Sequence, residues 1–285
     1  MSQSLVKGKN LDVSKITFSA PKVLDNGAKL VYVNYNGGRF NIQTPSMELP
    51  WNLSCYNEGP YPKYSCELSF RGMDENEDLS GFHDKLLELE NKIIDAGVEN
   101  GTSWFKLSKA KLNRDVIGTK FGNMVKVSLD KETGEPNGKY PPTIKLKVPC
   151  RDNVWESKLY NTEKEPYTIN GSDPEHNIEN IIVKGAKAKC IMTCVGLWIA
   201  SGNYMCQWKL TKAEIDVPES AGGNDFLPDS DEEGEGDNAN ENNIVPTMLD
   251  DTASEDEPEP TAKSEAEPEP VASKKKVLKK KSAGS

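Results

Sequence analysis

The chain has 285 residues, with 35 Lys and Arg against 45 Asp and Glu, a net charge of −10 and a sequence pI near 5.0. The acid is unevenly placed: residues 1–217 carry 28 basic and 27 acidic side chains and the remainder 7 and 18, so the whole-chain charge misleads about partners of the folded part. Six cysteines with no C-x-x-C pair and only two histidines, His83 and His176, argue against a zinc site, and no run of about 18 apolar residues is present to cross a bilayer.

In chain order, residues 1–20 are polar and read as an arm or a first edge strand. From Lys29 to Thr44, Asn36-Gly37-Gly38 turns between alternating segments, with Val31, Val33 and Tyr35 on one face and Phe40 and Ile42 on the return. A Pro- and aromatic-rich loop containing Trp51 follows, and Tyr64 to Phe70 alternates again. Phe82, Leu86, Leu89 and Ile93 then recur at spacings of four, three and four. That predicts an amphipathic helix over 80–96, capped by Asp78 or Ser80 and ended by Gly97, with Asp84, Glu88, Glu90 and Asp95 on an acidic outer face.

After Gly101 the charge reverses. Lys106, Lys109, Lys111, Arg114, Lys120 and Lys126 are opposed only by Asp115 and interleave with Trp104, Phe105 and Phe121. Turn residues over 133–138 lead to a strand over 143–148, in which Ile144, Leu146 and Val148 alternate with Lys145 and Lys147. The segment from Ile181 to Ile215 predicts a long hairpin around Ser201-Gly202-Asn203. In its first strand Lys187, Lys189 and Thr193 oppose Ala188, Cys190, Met192 and Cys194. In its second, Tyr204, Cys206, Trp208 and Leu210 oppose Gln207, Lys209 and Thr211.

About eight short strands, one helix and no βαβ alternation predict a mainly β fold: an antiparallel barrel or sandwich over 1–217. Residues 218–285 read as a disordered tail, acidic through Pro270 and closing in KKKVLKKK. Chemistry by a nucleophile and base has little to draw on, since the histidines fall on the acidic helix and in a polar loop and no G-x-S-x-G, P-loop or G-x-G-x-x-G occurs. The chain reads as a non-enzyme without metal or cofactor.

A single-strand binder needs a basic groove for phosphates and rings that stack on bases. The candidate residues are Arg39 beside the first turn; Trp104, Phe105, Lys106, Lys109, Lys111, Lys120, Phe121 and Lys126 after the helix; and Lys145, Lys147, Lys187, Lys189, Lys209 and Lys212 on strands. Trp198, beside the hairpin turn, joins them, whereas Trp208 is expected in the core and Trp51 and Trp155 as core or loop anchors. Lysines on the outer face of any sheet give the same pattern. The competing reading is an acidic-tailed nuclear chaperone that binds basic proteins.

NYNGGRFNIQTP (34–45), FKLSKAKLNRDVIG (105–118) and KAKCIMTCVGLWIASGNYMCQWKLTKAEI (187–215) carry a resemblance to the single-stranded-DNA-binding proteins of large nucleocytoplasmic DNA viruses, a group similar to phage replicative single-strand-binding proteins with an OB fold. The resemblance implies an OB-type barrel that binds single-stranded DNA in viral replication, recombination or repair, in host cytoplasm or nucleus. It also implies an acidic tail that reaches replication proteins, here through Asp225, Phe226, Asp229, Asp231, Glu232 and Glu233; a homodimer is compatible with it. Unlike phage-type tails, which end in acid and an aromatic residue, this one has Phe226 as its only ring and finishes in lysines.

Overall fold

A computed structural model describes residues 3–59, 61–169 and 177–218; the partner-binding stretch expected at Asp225 to Glu233, and the tail from 219 on, lie outside the described residues. Five strands form the body: β1 (Gly38–Glu48), β2 (Lys63–Ser69), β3 (Thr143–Val148), β4 (Lys187–Ala200) and β5 (Asn203–Asp216). β2 pairs antiparallel with β3, and β5 with β4, while β4 returns antiparallel to β1. Single residue pairs, Glu48 with Ser69 and Lys147 with Lys209, link β1 to β2 and β3 to β5. The order around the body is therefore 1-2-3-5-4-1, the order of an OB barrel.

Two parts of the sequence expectation need correction. The barrel is partly open, because two of its seams hold by one pair each, and it is not wholly antiparallel, since β3 runs parallel to β5 and Gln3–Lys7 parallel to β1. Nor are its principal strands short: β4 and β5 have 14 residues each and β1 has 11. Strands of that length curl by irregularity, and the β4–β5 register shifts between Ile191 and Met192 and between Cys194 and Gly196. The second shift lies where the backbone of Lys29–Val31 packs against β4. A Cβ at Gly196 would stand 2.7 Å from the Val31 carbonyl oxygen, and φ there is +143°.

Both hairpin turns form where the sequence placed them, with Asn36 and Gly37, then Ser201 and Gly202, at positive φ as a two-residue turn requires. Alternation sends Phe40, Ile42, Cys66, Leu68, Ile144, Leu146, Met192, Trp208 and Leu210 into one core. Cys66, Cys190, Cys194 and Cys206 are buried free thiols, whereas Cys55 is exposed.

The helix, α1, spans Glu77–Phe105 and lays Leu79, Phe82, Leu86, Leu89 and Ile93 on that core. Asn76, and neither Asp78 nor Ser80, caps it, its side chain accepting from the backbone N–H groups of Asp78 and Leu79. Gly97 does not stop it. A Cβ at Gly97 would meet Ile117 Cγ2 at 2.8 Å and the Tyr204 hydroxyl at 3.1 Å, so this glycine serves close packing inside the helix. The stop comes at Lys106 in the left-handed conformation, and Lys29 Nζ donates to the last carbonyls, of Ser103 and Trp104. Glu90, expected on the outer face, is buried: its Oε1 accepts from the N–H groups of Met124 and Val125, tying the segment after the helix to the core.

Candidate nucleic-acid interface

Side chains that leave the core face of the barrel strands form a polar outer face, and register makes part of it a row. Asn41 of β1 is paired with Thr193 of β4, Thr193 with Lys209 of β5, Lys209 with Lys147 of β3, and Lys147 with Ser65 of β2. Paired residues on neighbouring strands, about 4.8 Å apart, point their side chains the same way. The row thus runs roughly 15 Å from β1 to β3 across β4 and β5. Arg39 lies two residues from Asn41 on the same face of β1, and Lys145 two residues from Lys147 on β3.

The middle of the row is a cleft of about 130 Å³ lined by Arg39, Asn41, Pro149, Glu156, Thr193, Lys209, Leu210 and Thr211. Its floor is locked by hydrogen bonds. Asn41 Nδ2 donates to the Arg39 carbonyl at 3.2 Å, the Thr193 hydroxyl donates to Asn41 Oδ1 at 2.6 Å, and Thr211 meets Thr193 at 2.6 Å. With the Thr193 proton on Asn41, Thr211 supplies its own to Thr193, so the floor hydroxyls have no proton left for a ligand. Donation into the cleft falls to Arg39 and Lys209. Lys209 Nζ pairs with Glu156 Oε2 at 3.3 Å.

At the β3 end, Lys126 lies on Val125–Lys126, where its backbone is paired with Thr143, and it faces Lys145. Lys145 is exposed, yet loss of water around it and then the charges of Lys126 and Lys147 pull its ammonium below the ordinary lysine value, with Glu67 opposing them. Glu67, paired with Lys145 across β2 and β3, is among the described residues the one carboxylate that acts on Lys145 there, so the neighbourhood of Lys145 stays cationic on balance. Tyr140, three residues before β3 in the chain, is 49% exposed, with Lys139 Nζ 5.3 Å from its ring centroid. Ser128 Oγ accepts from the Tyr140 N–H at 3.1 Å, which fixes the backbone that presents the ring.

The other candidate residues are placed differently. Trp104 and Phe121 are core residues, 2% and 7% exposed, packed on Phe18 and Tyr204; neither has a ring face free for a base, and both leave the candidate set. Phe105 is half-buried against Tyr204. Lys106, Lys109 and Lys111 are exposed at the end of α1, and Lys120 Nζ lies near Gly202 at the hairpin turn. At about 3.3 Å per residue that turn is roughly 20 Å along β5 from Lys209, so Lys120 lies apart from the row. Trp198 is half-buried on the outer face, opposite Met205 and Leu30, with its indole N–H buried and unpartnered.

At the opposite end of the hairpin the face is mixed. Lys187 sits between Asp216 and Glu48, Lys189 pairs with Glu214 at 3.2 Å, and Lys212 lies beside Lys158. A second cleft, of about 420 Å³, joins Lys189 to Lys7 and Lys9. Those two lysines sit in the segment read as an arm or edge strand; the parallel pairing of Gln3–Lys7 with β1 brings Lys7 here, and an ion pair with Asp78 of α1 holds Lys9. Trp51, expected as an anchor, is exposed with Lys184 Nζ 5.9 Å from its ring centroid. Among the described residues no cluster of His, Cys, Asp and Glu is placed to hold a metal, and no helix is long and apolar enough to cross a membrane.

No family model and no curated protein matches the sequence. Similar solved structures include three of the single-stranded DNA-binding protein from bacteriophage Enc34. The one in complex with ssDNA has a TM-score of 0.39 and 14% identity over 70% of this chain and 96% of its own. A C-terminal truncation has 0.39 and 13% over 72% and 97%, and a third has 0.38 and 15% over 74% and 96%.

Proposed function

We propose that the outer face of the barrel binds single-stranded nucleic acid with little sequence preference. The observation that carries this reading is the path from Arg39 through Lys209, Lys147 and Lys145 to Lys126, set by strand register, with the exposed ring of Tyr140 three residues before β3. Cations at strand spacing follow a phosphate backbone without reading bases, and an exposed ring needs the π-face of an unpaired base. With the viral resemblance of the sequence, the substrate is single-stranded DNA exposed during replication, recombination or repair of a viral genome. Residues 1–217 act as the binding domain. The acidic segment over 218–285 is a tether, and its 225–233 stretch meets replication proteins.

The test is fluorescence anisotropy with a labelled oligo-dT, its duplex and an RNA of the same length at two salt concentrations. Single-strand binding that weakens steeply with salt and exceeds duplex binding supports the reading. Equal affinity for duplex, or none for any of the three, refutes it.

A further inference from the structure

The two ion-paired lysines of the outer face differ in how much water reaches them. Lys189 is 43% exposed, so solvent can solvate it whether or not Glu214 is near, whereas Lys209 is 18% exposed. With most of its side chain covered, Lys209 has fewer directions from which water can solvate its ammonium and gains more from an anion beside it. In the free protein that anion is Glu156. Its position is set from both sides: Trp155 packs edge-on against Tyr64 with centroids 4.6 Å apart, and the Ser157 hydroxyl donates to the Leu210 carbonyl at 2.8 Å. The Glu156 side chain itself is 42% exposed, so it can return to water at little cost.

We propose that Glu156 is a built-in competitor for the nucleic-acid phosphate at Lys209: its carboxylate stands where a phosphodiester oxygen binds, and the strand enters the Arg39–Lys209 cleft by exchanging phosphate for carboxylate. This rests on the single-strand reading above and adds a named phosphate subsite and its internal gate. Because Glu156 already serves as the counterion of Lys209, contact at this subsite releases fewer salt ions than a bare lysine would. The carboxylate weakens binding and flattens its salt dependence at this one point.

The experiment compares oligo-dT affinity and its salt dependence for the full-length wild type, Glu156→Gln, Glu156→Ala, Lys209→Ala and Lys209→Ala/Glu156→Gln, with Glu88→Gln on the outer face of α1 as a charge control. Circular dichroism checks that each is folded. The proposal expects Glu156→Gln and Glu156→Ala to bind roughly two- to fivefold more tightly at low salt, with a slope steeper by up to about 0.7. It expects the gain to vanish in the Lys209→Ala background and to be absent from Glu88→Gln. A gain equal to that of Glu88→Gln, a gain that survives Lys209→Ala, or no gain beside normal wild-type binding overturns the exchange and leaves the single-strand reading standing. No binding by wild type and variants alike overturns that reading and the exchange with it.

Discussion

Neutralising Arg39, Lys145 and Lys147 together, as Arg39→Gln/Lys145→Gln/Lys147→Gln, tests the outer face without disturbing the Lys209–Glu156 pair. Each phosphate contact on a single strand contributes about 0.7 to the slope of log affinity against log salt, so three contacts contribute about 2. Between 50 and 200 mM salt, each contact accounts for roughly a 2.6-fold loss of affinity, and three for about 18-fold. The triple variant should lose affinity at 50 mM by that order and come close to the wild type at high salt. Its stability should hardly move, because Arg39 and Lys145 are exposed, Lys147 is half-buried on the outer face, and the change relieves repulsion around Lys126. Anisotropy titrations at four salt concentrations measure the slope, and thermal unfolding checks the fold. A triple variant with an unchanged slope refutes phosphate binding at this face.

The buried carboxyl of Glu90 is raised above its ordinary value of 4.5, chiefly by burial, with the Val125 and Met124 N–H groups and then His83 opposing. An acid raised in the folded state binds its proton more readily there than in the unfolded chain. Its charge therefore penalises folding above the folded value, and the penalty fades as pH falls toward 4.5. Glu90→Gln, which keeps the acceptor oxygen, should be at least as stable as wild type at pH 8 and lose that relative gain by pH 4; a relative gain that grows on acidification contradicts the assignment. Gly196→Ala places a Cβ 2.7 Å from the Val31 oxygen at positive φ and should cost about 2–3 kcal/mol, lowering the midpoint of thermal unfolding by roughly 5–10 °C. An unchanged midpoint rejects the close approach there. A thiol reagent should label exposed Cys55 first and Cys150 more slowly, leaving Cys66, whose thiol burial pushes up to about 12, unreactive until the protein unfolds. Early labelling of Cys66 contradicts the core.

Strand identity, the two turns and the inward-facing residues were legible in the sequence because period-2 alternation is local: Ile144, Leu146 and Val148 declare a face without help from the rest of the chain. The full length of α1 was not, since Gly97 and Gly101 carry the same signal whether they stop a helix or let Ile117 and Leu112 approach it. Trp104 and Phe121 were misplaced for a related reason. Interleaved lysines suggest a surface, yet the ring of Tyr204, from β5, covers both. The site was legible only in part. Lys145, Lys147 and Lys209 could each be assigned to an outward face, but Lys147 meets Lys209 only through the one parallel pair that joins β3 to β5. That pairing spans more than 60 positions of chain, beyond any local pattern.

Lysine acylation with and without bound oligo-dT, read residue by residue by mass spectrometry, tests the location of the strand most directly. A strand on the outer face protects Lys126, Lys145, Lys147 and Lys209, with Lys85 and Lys92 on α1 reacting as before. Protection confined to Lys106, Lys109, Lys111 and Lys120, or spread evenly over all lysines, would contradict it.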